Sequence, residues 1–264
     1  MAGIADAAAF HPEPAIPMNR LACALGTGLL AFCLVLSNAH ASVVIAGTRV
    51  VFSAAAGETT VRLNNDGSQP ALVEAWIDDG NPASTPDTAK VPFLITPPLF
   101  RMDAGKGQSL RIVYTNQSLP KDRESLFWLN VLEIPPRPAA KPGEEQNTLQ
   151  FAVRSRLKLF FRPPHLAGDP LGAARQVTWT VAADGAGYAL VAHNPTPYHI
   201  TFSQLSLSVD HVAYAPGNGM VAPLSTLRLP IKNLRRAPAA GTVIDYTVLN
   251  DFGAPASYQG TIAR

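Results

Sequence analysis

Apolar residues in this chain recur at every second position, in short runs closed by turn-forming residues. A period of two predicts β-strands with one face buried. Such runs stand at 43–53 (VVIAGTRVVFS), 59–65, 71–78 (ALVEAWID), 93–100 (FLITPPLF), 109–115 and 125–134 (SLFWLNVLEI). Clusters such as NNDGSQP at 64–70 and DAGKGQ at 103–108 separate them. The longest run is TLQFAVRSRLKLFFRPP, Thr148 to Pro164. Its odd positions from 149 to 161 read Leu, Phe, Val, Ser, Leu, Leu, Phe, and its even positions carry Arg154, Arg156, Lys158 and Arg162. Four cations on one face are a heavy load for a central strand, so this face needs an explanation.

A second set of strand-like runs follows at 176–183, 188–194, 199–209, 225–231, 243–250 and 256–263, with no long amphipathic helix among them. RPPHLAGDPLG at 162–172 lies between the two sets and reads as a domain boundary. Seven short strands in the first set match the strand count of an immunoglobulin-like sandwich. The predicted fold is therefore all-β, two consecutive Ig-like sandwiches over 42–162 and 163–264. KPGEEQN at 141–147 is expected to be a mobile polar loop ahead of the long strand, leaving that strand as a candidate sheet edge.

Residues 1–41 have a different character. LACALGTGLLAFCLVL at 21–36 is uncharged, Arg20 precedes it, and Ala39-His40-Ala41 closes the segment. Charged flank, apolar core and small-residue site are the order of a secretory signal peptide. The mature chain is then expected to begin at Ser42 in the periplasm, with either Met1 or Met18 as the start. Both cysteines, Cys23 and Cys33, fall inside the leader, so no disulfide is expected in the mature protein. Setting Arg20, Asp6 and Glu13 aside from the 21 basic and 19 acidic residues leaves a mildly positive chain. That balance is too weak to imply nucleic-acid binding, so any electropositive function must be local.

Several stretches resemble one family: GTRVVF (47–52), AWID (75–78), TPPLFRMD (96–103), LPKDRESLFWLNVLEIPP (119–136), SRLKLFFRP (155–163), NPTPY (194–198) and LNDFG (249–253). The chain is similar to the PapD-type periplasmic chaperones of the chaperone–usher pathway across essentially all of its mature length. The resemblance implies two sandwiches in an L-shaped arrangement with a cleft between them, and no cofactor. It implies pilin subunits and an outer-membrane usher as partners, with no nucleic acid or small-molecule substrate. The free form would be a monomer or a weak self-capping dimer.

The resemblance also assigns residues. Leu149, Phe151 and Val153 would belong to an exposed edge strand, the last of domain 1, and enter a groove in a pilin that lacks one strand. Arg49 and Lys158 would hold the pilin's C-terminal carboxylate in the cleft. Glu124, Arg162 and Asp251 would form ion pairs between the domains. Arg154 and Arg156 match no such role and are expected to be solvated or rim charges, and Asp78-Asp79 to be turn charges. The connection at 137–148 is short and free of cysteine, which resembles the short-loop class of these chaperones.

Nothing in the sequence points to catalysis. His165, His193, His199 and His211 lack metal-ligand spacing, and Ser203, Ser206 and Ser208 alternate as strand residues do. The rival reading is a secreted two-domain sandwich acting as an adhesin or carbohydrate-binding module. It accounts for the alternation but not for Arg49 and Lys158 standing together in their motifs.

Overall fold

A computed structural model describes residues 42–137 and 149–263. The leader and most of the 137–148 connection lie outside the described residues, as does the expectation of loop mobility and class attached to that connection. Nine strands build the first sandwich: β1 (Val43–Ile45), β2 (Arg49–Ser53), β3 (Glu58–Asn65), β4 (Ala71–Asp78), β5 (Phe93–Thr96), β6 (Leu99–Met102), β7 (Gly107–Tyr114), β8 (Ser125–Ile134) and β9 (Val153–Arg162). One sheet runs β1-β3-β7-β5 and the other β2-β9-β8-β4-β6. Their inner faces enclose Phe52, Leu63, Val73, Leu110, Ile112, Leu129 and Leu159, all fully buried.

Alternation explains the packing. In β3, Val61, Leu63 and Asn65 point inward while Thr60, Arg62 and Asn64 face solvent. Aromatic rings add directional contacts, with Phe93 edge-on to Phe127 at 4.9 Å and to Phe52 at 5.4 Å.

Two runs that read as single strands are each divided between the sheets. The run at 43–53 becomes β1, antiparallel to β3, and β2, parallel to β9. The switch occurs at Ala46-Gly47-Thr48, where Gly47 has φ +92°, a conformation that a side chain would strain. The run at 93–100 becomes β5 on one sheet and β6 on the other, parted at Pro97-Pro98, where no backbone N–H is offered to a ladder.

The second sandwich contains β10 (Thr178–Asp184), β11 (Gly187–Asn194), β12 (Ile200–Val209), β13 (Val212–Tyr214), β14 (Gly219–Val221), β15 (Ser225–Ile231), β16 (Val243–Leu249) and β17 (Pro255–Thr261). Its sheets run β10-β11-β15 and β13-β12-β16-β17, with β14 also paired to β12. Trp179, Leu190, Phe202, Leu207 and Ile244 fill the core, and the Trp179 and Tyr246 rings lie 5.0 Å apart. A single 3₁₀ turn, Ala173–Gln176, leads into this domain.

The long strand is an edge over only half its length. β8 pairs with β9 from Val153 to Phe161, but β2 pairs with β9 only from Lys158 to Arg162. Residues 153–157 therefore keep one edge unpaired among the described residues, and 158–162 sit inside the sheet. The expected exposed edge strand is thus a bare edge in its first half and an inner strand in its second. The physical origin is the sheet switch at Gly47, which brings β2 alongside the second half alone.

Candidate functional site: an interdomain cleft and a half-free strand

The parity of β9 separates two functions. Odd residues Leu157, Leu159 and Phe161 are buried in the first core. At the same odd positions further back, Val153 opens β9 and Leu149 and Phe151 precede it; the three are 43%, 81% and 70% exposed. The apolar alternation of the core stripe thus continues at Val153 and at Leu149 and Phe151 just before β9, where these side chains are left uncovered among the described residues. Fully burying each would contribute about 1.5–3 kcal/mol.

The even face is where the cations lie, on the outer side of the sheet. Register sets Asp78, Trp128, Lys158 and Arg49 in one row across β4, β8, β9 and β2. Arg49 and Lys158 are thereby adjacent although far apart in sequence. Arg49 Nη1 donates to the Leu249 carbonyl at 2.9 Å, and Lys158 Nζ donates to Thr201 Oγ1 at 3.3 Å. Both contacts belong to the second sandwich, so the pair lies at the joint between the domains.

Neither cation has a carboxylate within 4.0 Å among the described residues. Arg49 Nε is buried and has no hydrogen-bond partner. Burial lowers the pKa of the Lys158 amine, and the neighbouring Arg49 charge lowers it further. Burial also lowers that of Arg49, opposed by the more distant Asp251. Two desolvated, adjacent positive charges with an orphaned donor are electrostatically suited to an anion, since a guanidinium fork and an ammonium can hold a carboxylate together.

The nearby acids are occupied elsewhere. Arg162, at the end of β9, donates from Nε to Glu124 Oε1 at 2.8 Å. Its Nη1 and Nη2 reach Asp251 Oδ2 and Oδ1 at 2.7 and 3.0 Å. Burial disfavours the Arg162 charge, but the two carboxylates more than compensate and raise its pKa. The other Glu124 oxygen, Oε2, accepts the His199 backbone N–H at 2.8 Å and lies 3.1 Å from His199 Nδ1. The Glu124 N–H donates to the Pro197 carbonyl at 2.9 Å. The five residues from Asn194 to Tyr198 hold that carbonyl in place. Asn194 Oδ1 accepts from Thr196 N and Oγ1, and Asn194 Nδ2 donates to the Tyr198 carbonyl. A cavity of about 90 Å³ remains at this joint, lined in part by Arg49, Glu124, Arg162, His199, Leu249 and Asp251.

Arg154 and Arg156 are neither solvated nor rim charges. The Arg156 guanidinium lies 4.2 Å from the Trp128 ring centroid and reaches both Asp78 oxygens, Nη2 to Oδ1 at 2.5 Å and Nε to Oδ2 at 3.2 Å. Arg154 lies 4.6 Å from the Trp76 ring, donates twice to Asn130 Oδ1, and donates from Nη1 to the Pro82 carbonyl. Asp78 is 1% exposed at its side chain, so the expectation of a turn charge is also corrected. Burial alone would raise the Asp78 pKa, but hydrogen bonds from Arg156, Asn130 Nδ2 and the Gly80 N–H outweigh it and hold it low. No spacing in the sequence announces this cluster. Only the β4–β8–β9 register, with Trp76, Asp78, Trp128, Asn130, Arg154 and Arg156 on one face, could have shown it.

Among the described residues no group of three histidine, cysteine, aspartate or glutamate side chains is placed to hold a metal. His193 lies on β11, His199 just before β12, and His211 in the turn after it.

Comparison with known proteins places this geometry. Residues 42–167 match the family described as pili and flagellar-assembly chaperone, PapD N-terminal domain. Residues 172–260 match the C-terminal domain of the pili assembly chaperone PapD. The chaperone protein FimB/FhaD of Bordetella pertussis is 45% identical over 244 residues, covering 91% of this chain and 95% of its own. The solved structure of the YadV chaperone, whose Escherichia coli counterpart is also a sequence relative, aligns with a TM-score of 0.71 at 38% identity, over 84% of this chain and all of that one. A solved complex of the Salmonella enterica SafA pilin with the SafB chaperone aligns with a TM-score of 0.66 at 27% identity, over 86% of this chain and 99% of its counterpart. Two sandwiches joined through Arg162, a paired-cation cleft and full-length similarity to fimbrial chaperones lead to one conclusion: the chain belongs to the PapD-type family of pilus-assembly chaperones.

Proposed function

We propose that this protein captures pilin subunits in the periplasm, completes their fold with its own β9 segment, and hands them to an outer-membrane usher. Leu149, Phe151 and Val153 enter the groove of the incomplete pilin, and the free edge of residues 153–157 supplies the backbone ladder. Arg49 and Lys158 receive the pilin's C-terminal carboxylate and so set the register of the new strand. Glu124, Arg162 and Asp251 keep the cleft in the geometry that this carboxylate needs. The leader at 1–41 directs the chain across the inner membrane, and the mature protein starts at Ser42. The SafA–SafB complex supports a pilin as the partner, by likeness.

The observation that carries this reading is the continuity of one stretch of chain. Leu149 and Phe151 just before β9 and Val153 at its start are exposed, residues 153–157 have a bare edge, and the second half of β9 runs beside two cations that have no carboxylate within 4.0 Å among the described residues. A bare edge with exposed apolar residues invites aggregation unless a partner covers it. The test is co-expression of the chaperone with a pilin from the same operon, followed by recovery of a soluble one-to-one complex. Phe151→Glu should abolish the complex while leaving the circular dichroism of the chaperone unchanged. If the variant unfolds, Phe151 belongs to its own core and the assignment is wrong. N-terminal sequencing of periplasmic protein should read from Ser42.

A further inference from the structure

The even face of the free half-strand carries a set of contacts that the capture reading does not use. Among the described residues, 153–157 have one neighbouring strand, β8, and the apolar side chain at Val153 lies outside the core. A segment held from one side only is expected to fray, and a frayed donor must be ordered at the moment of binding, at a cost to affinity. Here the opposite face is clamped. Arg154 lies over Trp76 and bonds Asn130 and the Pro82 carbonyl. Arg156 lies over Trp128 and bonds Asp78. Asn130 Nδ2 joins the two by donating to Asp78 Oδ2 at 2.8 Å. The Arg154 and Arg156 side chains remain 28% and 23% exposed, yet their polar ends are engaged and their planar faces covered.

We propose that Arg154 and Arg156 are positioning residues that hold the free half of the donor strand extended before a pilin arrives, through the Trp76–Asp78–Trp128–Asn130 platform on the outer sheet face. The inference rests on the donor-strand reading and deepens it. Pilin contacts come from the odd face and the free edge, and these two arginines act from the even face through the strand itself. Arginine suits this task better than lysine. Its planar group stacks on indole and bonds a carboxylate or amide in fixed directions, while its charge is matched by Asp78. Asp78 also pairs with Arg156, two residues before Lys158 on the same face, so that an incoming carboxylate finds Lys158 and Arg49 rather than Arg156.

The test compares three full-length proteins with the wild type: Arg154→Gln, the double substitution Asp78→Asn with Arg156→Gln, and Phe151→Glu. The double substitution removes both charges together, because leaving either alone would bury an unpaired ion. Amide hydrogen exchange is read in the free proteins, and affinity for a synthetic pilin C-terminal peptide with a free carboxylate is read beside it. The first two should lose protection at residues 153–157 by about tenfold while β3 and β7 hold theirs, and should bind the peptide about tenfold more weakly. Phe151→Glu should keep the protection and lose the one-to-one complex with co-expressed pilin, because the groove that takes Phe151 belongs to the whole subunit. Unchanged exchange at 153–157 in Arg154→Gln would overturn the proposal, whatever its affinity. If the double variant does not fold, Arg154→Gln decides alone. A pilin complex that survives Phe151→Glu would instead refute the donor-strand reading, and the exchange result would still judge the clamp.

Discussion

Replacing Lys158 by alanine removes one of two cations whose proposed partner is a single carboxylate. The geometry sets the scale of the loss. Arg49 and Lys158 are neighbours in the β2–β9 register, both are partly desolvated, and neither has a carboxylate within 4.0 Å among the described residues. Two unit charges about 4 Å apart attract by roughly 4 kcal/mol at an effective dielectric constant near 20. Desolvating the carboxylate offsets part of this, whereas leaving it under-compensated adds to the cost. Truncating one partner of such a pair typically costs about 2–5 kcal/mol. That corresponds to a rise in Kd of about 30-fold to a few thousandfold. The assay is calorimetry with a pilin C-terminal peptide, in free-acid and amidated forms, against wild type, Arg49→Ala and Lys158→Ala. Amidation should cost about as much as either substitution, and Lys158→Ala should cost little more once the carboxylate is gone. Because the Lys158 pKa lies below its ordinary value and an anion would raise it, peptide affinity should fall as pH rises through the depressed value. Arg49→Ala removes a neighbouring positive charge and should move that fall to higher pH. A full additional loss from Lys158→Ala with the amidated peptide would refute the shared carboxylate.

Other perturbations probe the frame around the site. Arg162→Ala leaves Glu124 buried with His199 as its remaining side-chain partner and releases Asp251; urea unfolding should show a loss of about 3–5 kcal/mol. Asp78 has a folded-state pKa below its unfolded value, so its contribution is present above the unfolded value and is lost as pH falls through the folded one. Asp78→Asn should therefore flatten the acid limb of the stability–pH curve measured by thermal unfolding. Gly253→Ala places a Cβ 2.3 Å from Thr48 Oγ1 at a φ of +79°, in the turn that carries Asp251. It should destabilise the protein by about 1–3 kcal/mol and weaken peptide capture in the same calorimetric assay.

Strands long enough to show several turns of alternation were legible residue by residue. The runs at 71–78, 125–134 and 225–231 coincide with β4, β8 and β15. Runs that change sheets were not, because alternation records which side of an extended chain is buried, not which sheet buries it. At Gly47 and at Pro97-Pro98 the chain bends out of one sheet into the other and the buried positions change parity, from Val43 to Val50 and Phe52 and from Phe93 to Met102, so neither run is one uninterrupted alternation. The three-residue strands β13 and β14 are too short to carry a period at all. Family motifs marked Arg49, Lys158, Glu124, Arg162 and Asp251 one at a time, and the structure brings Arg49 beside Lys158 and Arg162 between the two carboxylates.

By itself, the amino-acid order determined the β-character of the chain, its two sandwiches, the apolar face of the long strand and the cations opposite it. Each of these is a local property, carried by period, turn chemistry or composition within a few residues. Only the tertiary structure decided that the strand is free along its first half, that Arg154 and Arg156 are engaged rather than solvated, and that Asp78 is buried beneath them. Those outcomes depend on register between strands distant in sequence. Moving β8 by one residue against β4 would turn Asn130 and Trp128 to the other face, and the platform would not exist.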